Sequence, residues 1–202
     1  MPPERRRSAK GGGATSMPEA ATYALPLTVS REALLDGGSD RRFRSLVGDL
    51  FTISARMELV REHLARRLGI TGPQYSLIVA VAHLQGQTGS SVGSMAQSLH
   101  VSSAFVASET GKLVRRGFLL KRVNPLDRRG VLLSIAPAGR LKLDRISEEI
   151  RALNDVFFGS LEAKAFAGLS QAMATLVDSS AQVARRLHDL KTTAQTARRA
   201  IA

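Results

Sequence analysis

The feature that most constrains the fold is the stretch Gly117–Ser134, GFLLKRVNPLDRRGVLLS. It contains two short apolar runs, Phe118–Val123 and Val131–Ile135. The turn-forming residues between the two runs are Asn124, Pro125, Asp127 and Gly130. Two such runs around such a turn predict a β-hairpin.

The hairpin and the helix before it are strongly basic. From Lys112 to Arg129 there are seven cations and one anion, so this segment carries half of the chain's formal charge of +12. Together with a pI near 11.2, this charge favours a polyanionic partner, with nucleic acid ahead of an anionic membrane. The alternative is a basic soluble protein without such a partner.

Length and composition exclude several classes of protein. With 202 residues and 44% hydrophobic content, the chain suits one compact domain, or a small domain with long helical arms. The absence of cysteine excludes disulfides and thiolate metal sites. No apolar run approaches the length needed to span a membrane, and Met1–Lys10 lacks the apolar core of a secretory signal. A cytoplasmic location with no membrane partner is therefore expected.

The sequence divides into four segments. Residues 1–38 form a basic tail and linker, rich in Pro, Gly and Arg, that we expect to be disordered; a basic arm that touches DNA is the alternative. Residues 39–68 form an N-terminal dimerisation helix, 69–136 the winged helix-turn-helix domain, and 137–202 the C-terminal dimerisation helices.

Local signals place the helices of the DNA-binding domain. Thr71 and Gln74 form a predicted capping box at the start of one helix, and Ser91 and Ser102 are placed to begin two further short helices. The residues expected to face inward from the last of these are Phe105, Val106, Leu113 and Val114.

The C-terminal segment contains an apolar seam. One helix is predicted from Pro137 to about Phe158, and a long helix follows Gly159. The long helix has residues spaced alternately by four and three positions: Leu169, Met173, Leu176, Ser180, Val183, Leu187 and Leu190. This heptad-like seam predicts a homodimer; packing within one chain is the alternative.

These segments together resemble the MarR (multiple antibiotic resistance regulator) family. The resemblance covers roughly residues 43–150 and is most specific in Asn124-Pro125-Leu126-Asp127-Arg128-Arg129, followed by Pro137-Ala138-Gly139-Arg140. It implies a mainly α fold with a small β wing, in which long N- and C-terminal dimerisation helices flank the winged helix-turn-helix core. It also implies a dimeric repressor that leaves a pseudo-palindromic operator when a small ligand binds, often an aromatic acid or acyl thioester.

In this interpretation the helix from Ser102 to Arg116 enters the major groove. The predicted DNA-binding residues are Ser102, Ser103, Ser108, Lys112, Arg115, Arg122, Arg128 and Arg129. Ser102 has helix capping as a second role. Where relatives of the family usually carry Thr-Arg, this chain has Ala107-Ser108, so a long cation able to contact guanine is missing.

The wing therefore carries most of the expected binding. Arg128 and Arg129 are predicted to reach the minor groove. Asp127 is predicted to organise the wing by holding Arg129 or Arg122 in an ion pair; its alternative role is that of a turn residue beside Pro125.

The resemblance also implies a ligand pocket between the Ser39–Leu68 helix, the Pro73–Leu84 helix and the start of the wing domain. Its predicted lining residues are Phe51, Arg56, Met57, Tyr75, Val79 and His83, with Arg56, Arg61 or His83 as the anchor for a carboxylate. A place in the hydrophobic core is the alternative for the apolar members.

No catalytic or metal-binding pattern is present. The four histidines are scattered, and neither HExxH, a P-loop, GxSxG nor a dinucleotide-binding fingerprint occurs. We therefore expect no enzyme activity and no cofactor. A second class of function stays open, because Ala107-Ser108 also fits a winged-helix architectural or protein-interaction module without ligand sensing or strong sequence specificity.

Overall fold

The computed structural model of the chain describes residues 25–127 and 129–201, with backbone alone from 194 onward. The chain divides into two compact units, with the boundary after Ser54. The tail predicted to be disordered spans residues 1–38, and its first 24 residues lie outside the described part of the chain.

In the first unit, the segment before the first helix is ordered around a buried aspartate. Asp40 is only 1% exposed, and its Oδ2 accepts hydrogen bonds from the backbone N–H and the hydroxyl of Thr28, both at 2.7 Å. Its other oxygen pairs with Arg44. These hydrogen bonds and this charge hold the pKa of Asp40 below its usual range. A 3-10 turn at Glu32–Leu34 lies between Thr28 and Asp40, so residues 25–38 are not the structureless linker that their composition predicts.

Helix α1 (Arg41–Arg67) is close to its predicted bounds and continues into the second unit. It ends before Gly69, whose φ of +67° is a backbone conformation that glycine adopts without strain. Helix α2 (Gly72–Leu84) then begins with the predicted capping box. The Thr71 N–H donates to Gln74 Oε1 at 3.2 Å, and the Gln74 N–H donates to Thr71 Oγ1 at 3.4 Å.

Helices α3 (Val92–Leu99) and α4 (Ser103–Arg115) form the short pair predicted before the hairpin. His100 ends α3 with a φ of +53°, and the Ser102 hydroxyl caps α4 by accepting from the Phe105 N–H at 3.2 Å. Phe105 itself is 37% exposed, contrary to prediction. The buried face of α4 instead follows Val106, Thr110 and Leu113.

The predicted hairpin forms two of the three strands of an antiparallel sheet. Its strands are β2 (Leu119–Val123) and β3 (Val131–Ile135), with Leu119 opposite Ile135 and Val123 opposite Val131. A two-residue strand, β1 (Ser90–Ser91), pairs with the other edge of β3, in the order β1-β3-β2. The sequence predicts a loop there, because two residues show no alternation of apolar and polar side chains.

The hydrophobic core of the second unit lies under this sheet and between α2, α3 and α4. Burial of these side chains, at about 25 cal/mol for each Å² of apolar surface, is the main stabilising term for the domain. The members that are at most 1% exposed are Ala65, Leu77, Ile78, Val81, Met95, Val106, Leu113, Phe118, Leu119 and Leu133.

The prediction of a single helix from Pro137 to about Phe158 is wrong. The structure has two helices there, α5 (Pro137–Asp144) and α6 (Ser147–Phe158). Ile146 lies between them with φ −106° and ψ 3°, and its side chain is buried. The apolar spacing is compatible with one continuous helix, but the chain turns at Ile146 and buries its side chain. Helix α7 (Ala163–Ile201) then runs for 39 residues.

The start of α5 fits closely against the beginning of β2. A Cβ at Gly139 would lie 2.2 Å from the Phe118 carbonyl oxygen, so only glycine allows this approach. The Ala136 N–H donates to the same carbonyl at 3.0 Å. This contact sets where the first strand of the wing leaves the core. The mainly α fold with a small β wing, predicted from the sequence, is confirmed.

Candidate DNA-binding surface

One face of α4 is exposed and polar at its N-terminal end. Ser103, Ala107 and Ser108 are all exposed, while Val106 and Thr110 fix the opposite face in the core. The buried Thr110 hydroxyl is satisfied within α4, because it donates to the Val106 carbonyl at 2.6 Å. The polar side chains that the N-terminal half of α4 offers to a groove are therefore short, and the one large exposed side chain described there is Phe105.

Glu109 belongs to the framework of α4. Its Oε2 accepts a hydrogen bond from Gln74 Nε2 at 2.8 Å, and its Oε1 lies 2.5 Å from Lys112 Nζ. These two partners, Lys112 first, lower the pKa of the Glu109 carboxyl. Lys112, a predicted phosphate contact, is thus already paired with an anion.

The C-terminal end of α4 is also fixed by a side chain from another helix. Lys142 Nζ donates to the Arg116 carbonyl at 2.7 Å and lies 4.3 Å from the centre of the Phe118 ring, a cation–π contact. Arg115 is exposed beside this site. The only sequence signal for Lys142 as a cap is a cation within reach of a helix C-terminus, and many lysines fit that description.

The wing presents its cations to solvent. Lys121, Arg122 and Arg129 are exposed, and Arg128 lies outside the described residues. The turn between the strands is closed by the Asn124 N–H, which donates to the Gly130 carbonyl at 3.0 Å. The wing is therefore a short, hydrogen-bonded hairpin with a basic surface.

Asp127 acts on the backbone of the turn. Its Oδ1 accepts a hydrogen bond from the Arg129 N–H at 3.0 Å, which is the role of a turn residue. Within the described residues it forms no ion pair with Arg122 or Arg129. A carboxylate that accepts from the N–H two residues ahead still orients the arginine, but through its main chain.

Gln85 is a positioning residue that the sequence does not reveal. Its Oε1 accepts a hydrogen bond from the Ile135 N–H at 2.9 Å, which joins the end of α2 to β3. The same holds for Gln74, whose capping role is evident from spacing but whose second hydrogen bond to Glu109 depends on how α2 and α4 meet.

Three of the predicted ligand-binding residues, Tyr75, Val79 and His83, line one cavity of about 390 Å³. Its other lining residues are Arg61, Ser76, Ala80, Ser98 and Leu99. The volume is within the range of small-molecule sites. Burial raises the pKa of the Tyr75 hydroxyl.

Arg61 is the cation of this cavity. Its Nη1 donates to the Ser76 hydroxyl at 2.9 Å, and its Nη2 pairs with Glu58. Its Nε is buried and has no hydrogen-bond partner among the described residues. A buried N–H donor without a partner is costly, so Arg61 carries one unsatisfied donor.

The other three predicted pocket residues do not line this cavity. Phe51 is 73% exposed and Arg56 is exposed, while Met57 lines a separate cavity of about 50 Å³ with residues of α6. Helical spacing shows which residues of α1 share a face, but it does not show which element packs against that face.

The described residues contain no group of three or more His, Cys, Asp or Glu side chains that could hold a metal ion. Nor do they include a helix that is both long and apolar enough to cross a membrane.

Several solved structures share this fold. A MarR transcriptional regulator from Methanosarcina mazei is 16% identical, with a TM-score of 0.55, and the match covers 69% of this chain and 99% of that one. S. aureus MepR in its DNA complex is 16% identical, with a TM-score of 0.55 and coverage of 65% and 96%. A mutant MarR from E. coli complexed with operator DNA is 17% identical, with a TM-score of 0.54 and coverage of 67% and 95%.

The sequence itself matches no protein-family model and no curated protein. The structural likeness establishes the fold: the chain has the winged-helix fold of the MarR regulators. The resemblance seen in the sequence motifs is thus confirmed at the level of the fold.

Proposed function

We propose that the chain is a DNA-binding transcriptional regulator that binds a pseudo-palindromic operator as a homodimer and represses transcription. The observation that carries this proposal is the juxtaposition of an exposed polar face on α4 with a hydrogen-bonded basic hairpin. Solved proteins of the same fold in complex with DNA support it.

The proposed contacts divide by chemistry. Ser103 and Ser108 read base edges in the major groove, where a hydroxyl can donate or accept. Arg129 and its neighbour Arg128 enter the minor groove. The residues assigned to phosphates are Ser102, Arg115 and Arg122; Lys112 is paired with Glu109 and would reach a phosphate only when that pair opens. Since phosphate contacts carry no sequence information, specificity rests on two short serines and on the shape of the DNA.

A mobility-shift assay with the full chain tests the function. The probe is the DNA that flanks its own gene, and the competitor is random duplex at the same concentration and moderate salt. A specific site is expected to win by about 10³ or more. Failure to form any specific complex, with the dimer intact, would refute the proposal.

The proposed dimer uses the apolar seam of α7. Within the described side chains, Leu169, Met173, Leu176, Val183, Leu187 and Leu190 are each at least 39% exposed. With Ser180 between Leu176 and Val183, their spacing alternates between four and three residues, which places them along one side of the helix. A continuous exposed seam of this kind is stabilised by a second copy.

Sedimentation of Leu187→Glu tests this interface, since a carboxylate in the seam would have to be desolvated on association. We expect a shift to monomer. Gln182→Glu, an exposed position outside the seam, adds the same charge and should stay dimeric. A dimeric Leu187→Glu variant would exclude α7 as the interface.

The proposed effector is a small aromatic acid in the cavity beside Arg61. The cavity offers the Tyr75 ring and the Val79 side chain for an aromatic ring, and the cationic Arg61 side chain for the carboxylate. An arginine N–H next to a carboxylate forms a strong charge-assisted hydrogen bond.

Benzoate and its neutral analogue benzamide distinguish this site from nonspecific binding. Benzoate is expected to release the protein from DNA, and benzamide to be much weaker. Arg61→Met should abolish the benzoate effect, whereas Arg66→Met, an exposed arginine on the same helix, should not. Equal release by both compounds would refute the anchor.

The second candidate function is that of an architectural winged-helix module. The exposed Ala107 and Ser108 of α4 favour it, because they leave the middle of the recognition helix without a long cation for a base contact. If random DNA and unlabelled flanking DNA displace the labelled probe equally well, the result would support this function instead.

A further inference from the structure

The tip of the wing carries a leucine in full contact with solvent. Leu126 is 95% exposed, which is the highest value for any large hydrophobic side chain that the structure describes. Its backbone is not loose, because its N–H donates to Asn124 Oδ1 at 3.0 Å. A single exposed leucine is unremarkable on most surfaces, so its position is what gives this one meaning.

The turn presents the leucine in a fixed direction. Pro125 restricts the backbone on one side, and Asp127 accepts from the Arg129 N–H at 3.0 Å on the other. The Gly130 N–H closes the loop by donating to the Asp127 carbonyl at 2.8 Å. Little backbone entropy would be lost when such a tip enters a narrow site.

Cations occur on both sides of this apolar tip along the chain. Lys121, Arg122 and Arg129 are exposed on the same hairpin, and the carboxylate next to Leu126, Asp127, already accepts a backbone hydrogen bond. An apolar side chain between phosphate-binding cations is the arrangement by which proteins open a minor groove. Leucine is one of the side chains that insert between base steps and kink the duplex.

We infer that Leu126 is a wedge that enters the minor groove, partly unstacks one base step and bends the operator. This inference rests on the proposed function and adds a source of specificity to it. Base steps differ in how easily they are unstacked, so the wedge selects flexible steps at the ends of the site. The chain thereby recovers discrimination that its short α4 side chains do not supply.

The test uses the full chain and a duplex that it selects from a randomised pool. Each A·T position is replaced in turn by 2-aminopurine, whose fluorescence rises when its base is unstacked. We expect the wild-type chain at saturation to raise the signal about threefold at one step in each flank. Leu126→Ala should abolish this rise, reduce the bend seen in circularly permuted fragments, and weaken binding about five- to tenfold.

Two matched variants separate a wedge from general loss of apolar surface. Val123→Ala removes another exposed apolar side chain of the same hairpin, 63% exposed, and should leave fluorescence and bending unchanged. Leu126→Met keeps a flexible apolar side chain and should restore both. Since Leu126 has almost no buried surface, neither change at Leu126 should alter thermal stability.

The outcomes distinguish the wedge from the function on which it rests. If the wild-type chain binds no duplex, the proposed function fails and the wedge fails with it. If it binds and Leu126→Ala shows the same fluorescence and bend, only the wedge is refuted. Binding to phosphatidylserine vesicles that needs Leu126, with unchanged DNA bending, would assign the tip to a membrane and overturn the inference.

Discussion

Gln74 Nε2 donates a 2.8 Å hydrogen bond to Glu109 Oε2, and this bond joins the first turn of α2 to the middle of α4. Gln74 is 5% exposed, and the Glu109 side chain is 14% exposed. The other oxygen of Glu109 pairs with Lys112. Gln74 therefore has two roles. It takes part in the capping box of α2, and it holds α4, the helix proposed to enter DNA, through Glu109.

Replacing Glu109 by Gln should tighten DNA binding. The amide keeps an oxygen for Gln74, but it releases Lys112 and removes an anion from the basic surface. We expect the slope of log K against log salt to steepen by about 0.9, the value for one additional phosphate contact. Titrations from 50 to 200 mM salt measure it. Glu148→Gln, an exposed carboxylate on α6, is the control; an unchanged slope in Glu109→Gln would show that Lys112 does not reach a phosphate.

Stability should fall in acid because Glu109 and Glu149, like Asp40, have lowered pKa values in the folded chain. His63 and then Arg67 lower the pKa of Glu149, and Lys112 and then Gln74 lower that of Glu109. A carboxyl whose pKa is lower in the folded chain stabilises the fold above its unfolded value of 4.5. That contribution is lost as the pH falls through the lower, folded value.

Denaturation of wild type and Glu149→Gln from pH 7 to about pH 3 checks this linkage. The variant should be less stable at neutral pH and approach wild type at acid pH, since the pairs with His63 (2.6 Å) and Arg67 (2.9 Å) then no longer distinguish the two proteins. A constant difference over the whole range would contradict the assignment.

Gly139→Ala should destabilise the domain. The added methyl group would lie 2.2 Å from the Phe118 carbonyl oxygen, so α5 and β2 must separate, at a cost of about 1–3 kcal/mol. Gly111→Ala in α4 is the matched control, because its Cβ would meet only the Arg115 guanidinium at 3.8 Å. That variant should gain about 0.5–1 kcal/mol from helix propensity. Urea denaturation measures both, and a neutral Gly139→Ala would show that the contact yields without cost.

Arg129 and Ser108 should affect DNA binding in different ways. Arg129→Ala removes a wing cation, so affinity should fall on all sequences and the salt slope should shrink by about 0.9. Ser108→Ala removes a hydroxyl from the exposed face of α4, so it should mainly change which base is preferred. Binding to a panel of single-base variants separates the two. If Arg129→Ala leaves affinity unchanged, the wing does not contact DNA.

The sequence by itself determined the elements whose signals are local. The strands β2 and β3, the capping box at Thr71 and the serine cap at Ser102 could each be predicted within a residue or two. They depend on side chains only a few positions apart along the chain. The basic character of the wing is likewise a property of composition, which folding does not change.

Only the tertiary structure decided the rest, because those features depend on residues far apart in sequence. The break at Ile146 follows from the burial of its side chain, and the short strand β1 exists because β3 offers a free edge. Asp127 serves the turn backbone although its sequence context fits an ion pair equally well. Arg61 lines the cavity and Met57 does not, because packing decides which face of α1 meets α2. The bond between Gln74 and Glu109 spans 35 positions, a separation at which no local pattern can report a contact.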